Sequence, residues 1–102
     1  MQTHIAKRLE ILIEAPMQER LTDTLIRAGA RGFTVLPVQG GAGKSGEWSR
    51  DGQPGRTGMV AVVCLIRPEA LDSALEAAFA VVASHIGLVN IADVQVIRPD
   101  IV

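Results

Sequence analysis

The chain of 102 residues carries 10 lysines and arginines against 11 aspartates and glutamates, a net charge of −1. A balance this close excludes a general binder of nucleic acid or anionic membrane and leaves room only for a local basic patch. Nearly half of the residues are hydrophobic but only 3% are aromatic, so the length makes one domain with an aliphatic core, and the surplus apolar surface calls for a partner subunit.

The first strand is expected from Ile5 in "IAKRLEILIEA", where Leu9, Ile11 and Ile13 alternate with Arg8, Glu10 and Glu14. Pro16 then stands where a helix can begin, and Met17, Leu21, Leu25 and Ala28 share one helical face, with Gly29 or Gly32 to end it. The second strand, "GFTVLPVQ", contains Pro37, which lacks an amide proton and so requires an edge or a bulge. "MVAVVCLI" reads as a central strand covered on both faces, and its Cys64 as a buried small hydrophobe. That lone cysteine excludes a disulfide within one chain. From Pro68 the stripe Leu71, Ala74, Leu75, Ala78, Phe79 and Val82 predicts an amphipathic helix. The connection "SHIGLVN" then leads into a last strand, "IADVQVI", stopped by Pro99. Strand–helix–strand twice over predicts an α+β, ferredoxin-like βαββαβ domain. Both helices would lie on one face of a four-stranded antiparallel sheet, leaving the other face for a second subunit. No apolar run approaches a signal-peptide core or a membrane span, so the expectation is a soluble, cytoplasmic protein without membrane insertion.

The segment between the second and third strands, "VQGGAGKSGEWSRDGQPGRTG", holds the main functional question. Gly43-Lys44-Ser45 looks like part of a phosphate-binding loop. A true one needs glycine where Val38 stands and a helix where "GEWSRDGQPG" follows. A plain flexible linker accounts for the glycines but not for Trp48, which gains little unless it docks on something. Lys44, Arg50 and Arg56 add cationic donors suited to carboxylate, bicarbonate or phosphate. The favoured reading is a recognition arm.

Competing functions leave other marks. An RNA-binding sheet shows stacking aromatics on its middle strands, and these strands have none. An acylphosphatase-like enzyme needs an arginine cradle after the first strand, where Pro16 stands instead. His4 reads as a frayed terminal residue, and His85 as the end of the second helix, where a cation suits the dipole. No catalytic residue, no metal ligand and no covalent cofactor is expected. A structural trimer that merely contacts a partner through its loop is a further alternative.

With these residues in hand, the chain resembles the PII-like signalling proteins over nearly its whole length. The resemblance lies in "GARGFTVLPVQGGAGKSG", running into a long loop, and in "IADVQVIRP". It implies a single PII-like domain over 1–102 and a homotrimer of ferredoxin-like subunits. The family's mobile arm, the T-loop, would span about 40–57. The resemblance further implies that adenine nucleotide binds between subunits and that the T-loop engages or releases a target. Gly32 and Thr34 would meet the adenine. Gly41, Gly43 and Lys44 would meet phosphates. The segment Gly87, Leu88, Val89 and Asn90 would be the loop that completes the site, and Arg98 would reach phosphate across the interface. Ser45, Trp48, Arg50 and Arg56 would contact an anion or the partner. The absence of tyrosine rules out tyrosine uridylylation. Apolar residues on the third strand, where nitrogen-regulating members place lysines, shift the expected ligand from ATP toward ADP or AMP. "HIGLVN" lacks the Gly-Asp-Gly-Lys pattern of those members. Together with "GKSGEW" these departures point to the carboxysome-associated, inorganic-carbon-responsive branch. Bicarbonate would be a second ligand there, and a bicarbonate transporter or carboxysome component the target.

Overall fold

The computed structural model describes residues 1–44, 46–49 and 58–102; for Trp48, Ser49 and Ile101 only the backbone is described. In chain order the main elements are β1 (His4–Glu14), α1 (Gln18–Arg27), β2 (Thr34–Val38), β3 (Gly40–Gly43), β4 (Gly46–Ser49), β5 (Met59–Ile66), α2 (Leu71–Val82) and β6 (Gly87–Val96). Four of the strands form one antiparallel sheet in the order β2-β5-β1-β6. This is the ferredoxin-like α+β architecture expected from the sequence. Pro37 lies on β2 opposite Val60, and β2 is an edge strand, the position where a residue without an N–H is tolerated.

Local chemistry explains the helices. Pro16 and Pro68 each sit in a short 3-10 turn, Ala15–Met17 and Pro68–Ala70, that feeds the helix behind it. At the end of α1, the Ala30 N–H reaches the Leu25 carbonyl at 3.0 Å and the Gly29 N–H that of Ile26 at 3.1 Å. Gly29 takes φ +115°, so of the two glycines it is the one that caps the helix. Thr22 is the buried polar residue of α1. Its hydroxyl donates to the Glu19 carbonyl at 3.2 Å and accepts from Gln18 Nε2 at 3.3 Å, which removes the penalty of burial. The Ser73 hydroxyl, near the start of α2, donates to the Ala28 carbonyl just past α1 at 3.0 Å and ties the two helices together.

The register places Leu9, Ile11 and Ile13 of β1 on the same face as Val62, Cys64 and Ile66 of β5. With Leu21, Leu25, Ala74, Ala78, Val81 and Val82 from the helices they form the core. Burial pushes the Cys64 thiol up to about 11, so it behaves as an inert apolar group. The opposite, helix-free face carries Leu36, Leu65 and Leu88, all exposed, around the half-buried Leu12 and Val63.

Five expectations need correction. Phe79 is 68% exposed rather than in the core stripe. The buried face of α2 carries Ala74, Ala78, Val81 and Val82, and at 100° per residue Phe79 lies roughly a third of a turn from its centre. His4 is the first paired residue of β1, opposite Val96, rather than frayed. His85 lies three residues beyond Val82, the end of α2, and its N–H still reaches the Val82 carbonyl at 2.9 Å; its Nδ1 is 3.8 Å from Glu14 Oε1, a partner the sequence reading did not include. The connection after α2 is shorter than "SHIGLVN", because β6 begins at Gly87 and pairs with β1 from there. The β5 strand is covered on the helix side, whereas on its other face Leu65 is exposed.

The glycine-rich segment also has structure at its start. β3 and β4 form an antiparallel hairpin, Gly41 opposite Trp48 and Ala42 opposite Glu47, turning at Lys44. Main-chain pairing needs no side chains, so a run of glycines can enter such a ladder. Gly46 has φ +102°, a conformation reserved in practice for glycine.

Candidate functional site

The helix-free face carries a shallow depression of about 310 Å3 at the β2 edge. It is lined by Gly32, Phe33 and Thr34 at the start of β2, Val63, Cys64 and Leu65 of β5, Arg8 of β1, and Val102. A guanidinium and a hydroxyl at the rim of an otherwise apolar bowl suit a flat, partly polar heterocycle. Two of the residues expected at an adenine, Gly32 and Thr34, are brought together here.

A Cβ placed on Gly32 or Gly43 would meet nothing within 4 Å. The fold of a single chain therefore does not demand glycine at either position. Gly87 differs, because a Cβ there would lie 2.7 Å from the Leu12 carbonyl oxygen and 2.9 Å from Val82 Cγ1.

The other expected residues lie elsewhere. Gly41 and Gly43 are exposed on β3, and Lys44 is exposed at the hairpin turn, in a separate sheet from the depression. Gly87, Leu88, Val89 and Asn90 are strand residues at the start of β6. Strands β2 and β6 are opposite edges of the sheet with β5 and β1 between them. Three inter-strand steps put the two edges roughly 14 Å apart. Arg98 is exposed just beyond β6. Ser45, Arg50 and Arg56 lie outside the described residues, as do the Trp48 side chain and most of the expected T-loop over 50–57. One chain thus gathers a fraction of the expected site and spreads the rest over both edges.

Sequence reasoning missed Arg8, Glu10 and Val102. Arg8 Nη2 donates to Glu10 Oε2 at 3.0 Å, and Asn90 Nδ2 donates to Glu10 Oε1 at 3.3 Å, forming a polar network on the helix-free face. The alternation that assigned Arg8 and Glu10 to the polar side of β1 was the available signal. It did not show that this side borders a cleft. The hydrogen bond from Arg8, then that from Asn90, holds the Glu10 carboxyl below its usual range. A carboxyl depressed in the fold contributes stability above its unfolded pKa and loses it as pH falls through the folded value. Thermal unfolding from pH 7 to pH 3 should show this. Wild type is expected to lose more stability over that interval than Glu10→Gln, and equal losses would contradict the ion-pair account.

Among the described residues no group of three or more His, Cys, Asp or Glu is placed to hold a metal, and no helix is long and apolar enough to cross a membrane.

The family model "Nitrogen regulatory protein P-II" matches residues 6–101. The chain belongs to the P-II family. CPII, a nitrogen regulatory PII-like protein of Thiomonas intermedia K12 bound to ADP, AMP and bicarbonate, is 28% identical with TM-score 0.85. That alignment covers 97% of this chain and 94% of CPII. The apo form of CPII aligns at 28% identity and TM-score 0.74, covering 96% and 98%. A Thermus thermophilus chain at 18% identity shares the P-II fold with TM-score 0.77 over 98% and 97% of the two chains. No curated protein matches. Within the P-II frame, the likeness to CPII supports the PII-like, CPII-like branch suggested by the sequence.

Proposed function

We propose that this protein is a non-enzymatic PII-like regulator that binds an adenine nucleotide in clefts between the subunits of a homotrimer. ADP or AMP is the favoured ligand and ATP a third candidate. The observation that carries the reading is the division of the site. Gly32 and Thr34 stand at the β2 edge and Gly87–Asn90 at the β6 edge, so a complete site needs the β6 edge of a neighbouring chain beside the β2 edge of the first. The apolar helix-free face supplies the reason to associate. Support for the ligand comes from CPII, whose solved form holds ADP, AMP and bicarbonate.

In this reading the base rests against Gly32 and Thr34. The phosphates extend toward Gly41, Gly43 and Lys44, where an ammonium and unhindered main-chain N–H groups suit them. Leu88, Val89 and Asn90 of the neighbour close the cleft, and Arg98 reaches the phosphates. Bicarbonate sits among the T-loop donors, with Lys44, Arg50 or Arg56 as its cation. Nucleotide and bicarbonate together set the shape of the T-loop, about 40–57 of the single PII-like domain 1–102. Ser45 and Trp48 then meet or leave the target. The target would be a component of inorganic-carbon metabolism, a bicarbonate transporter or a carboxysome protein, in the cytoplasm.

The fluorescence of Trp48, titrated with ADP, AMP and ATP with and without bicarbonate, tests the reading. A saturable change is expected, altered by bicarbonate and stronger with ADP or AMP than with ATP. Replacing Lys44 by alanine removes a charge-assisted hydrogen bond, and ADP affinity should fall about tenfold. A flat fluorescence response together with a flat calorimetric titration would rule out the small-molecule switch and leave a partner-binding trimer.

A further inference from the structure

The residues after β6 do not stay at the edge where that strand lies. Arg31, next to the cleft residue Gly32, donates from Nη1 to the Asp100 carbonyl at 3.1 Å. Val102 is only 5% exposed and lines the depression with Gly32, Phe33 and Thr34. Between Ile97 and Val102 the chain therefore passes from the β6 edge to the depression at the start of β2. A 3-10 turn, Pro99–Ile101, ends the crossing, with the Val102 N–H 3.3 Å from the Pro99 carbonyl. Among the described groups, the attachment consists of one exposed hydrogen bond, one short turn and the Val102 side chain.

We propose that residues 99–102 form a strap that occupies the cleft of their own chain and leaves it when nucleotide enters; this rests on the assignment of the cleft to an adenine nucleotide. Val102 and a purine ring compete for the same surface, because Val63 and Leu65 provide the apolar floor for either. The strap then lowers the apparent affinity in proportion to the fraction of molecules in which it is open. One that is shut in about nine molecules of ten weakens binding tenfold. Because the turn begins at Pro99, release moves the segment beyond Arg98 and leaves the proposed phosphate contact in place.

The test compares wild type, a chain ending at Arg98, and the full chain carrying Val102→Asp, which keeps its length but sets a carboxylate against Val63 and Leu65 at a desolvation cost. ADP affinity is read by calorimetry and amide exchange at Asp100–Val102 by mass spectrometry. Both variants are expected to bind ADP about tenfold more tightly than wild type with unchanged stoichiometry. In wild type, ADP should speed exchange at the strap. Equal or weaker binding by the variants, or strap exchange slowed by ADP, would overturn the strap while leaving the cleft assignment intact. No ADP binding by any of the three would overturn both. If the shortened chain does not fold, Val102→Asp decides the matter alone.

Discussion

Gly87→Ala is expected to destabilise the protein by about 3 kcal/mol. The added Cβ would lie 2.7 Å from the Leu12 carbonyl oxygen and 2.9 Å from Val82 Cγ1. Neither neighbour can retreat cheaply. Leu12 lies toward the end of β1 but is held from both sides, paired to Ala61 on one and Leu88 on the other. Val82 ends α2 with its side chain in the core. The substitution must therefore push β6 away from β1 or lift the end of α2, and either loosens the segment proposed to serve a neighbouring cleft. Denaturant unfolding measures the loss, and a change below about 0.5 kcal/mol, typical of an open surface position, would contradict the close packing. Gly32→Ala is the natural control, since nothing in the single chain lies near its missing side chain.

The second large effect concerns assembly. Leu36 lies on the helix-free face of β2 and is 47% exposed in the single chain. An aspartate there costs an isolated subunit little. In a trimer that covers this face it becomes a buried, unpaired carboxylate, which costs several kcal/mol in each copy. Wild type is expected to sediment as a trimer at micromolar concentration. Leu36→Asp should sediment as a folded monomer with unchanged far-ultraviolet dichroism and should lose ADP binding, because the two halves of the site would no longer meet. A monomeric wild type, or a variant that remains trimeric, would contradict the assignment of this face.

Much of this fold was legible in the residues. The alternation of Leu9, Ile11 and Ile13, the helical stripe through Leu21 and Leu25, and the restriction of Pro37 to an edge or a bulge are local signals that tertiary packing reinforces. Phe79 was misplaced because its spacing from Leu75 and Val82 fits a stripe. How wide a stripe is buried depends on the sheet beneath it, which spacing does not contain. The β3–β4 hairpin escaped notice because its strands are almost bare glycine on one side, and side-chain alternation is the signal by which strands are read. Gly87–Asn90 was taken as part of a connection, first from the residues and then from the family resemblance, whereas "GLVN" extends β6 through main-chain pairing with β1.

The site was legible in part for a different reason. Gly32 and Thr34 could be recognised together because they are near neighbours in sequence. Arg8 and Val102 reach the same depression from positions 94 residues apart, and no local pattern connects them. The separation of the β2 and β6 edges is likewise a property of strand order. It is the ground for the proposal that one chain is insufficient.

That proposed insufficiency is the central claim, and calorimetric titration of the wild-type protein with ADP tests it most directly. The account predicts saturable binding of one ADP per chain, three per trimer, lost when the trimer is dissociated by Leu36→Asp. Equally tight binding by the folded monomer would show that one chain completes the site alone. No binding by the trimer would show that the cleft serves something other than an adenine nucleotide.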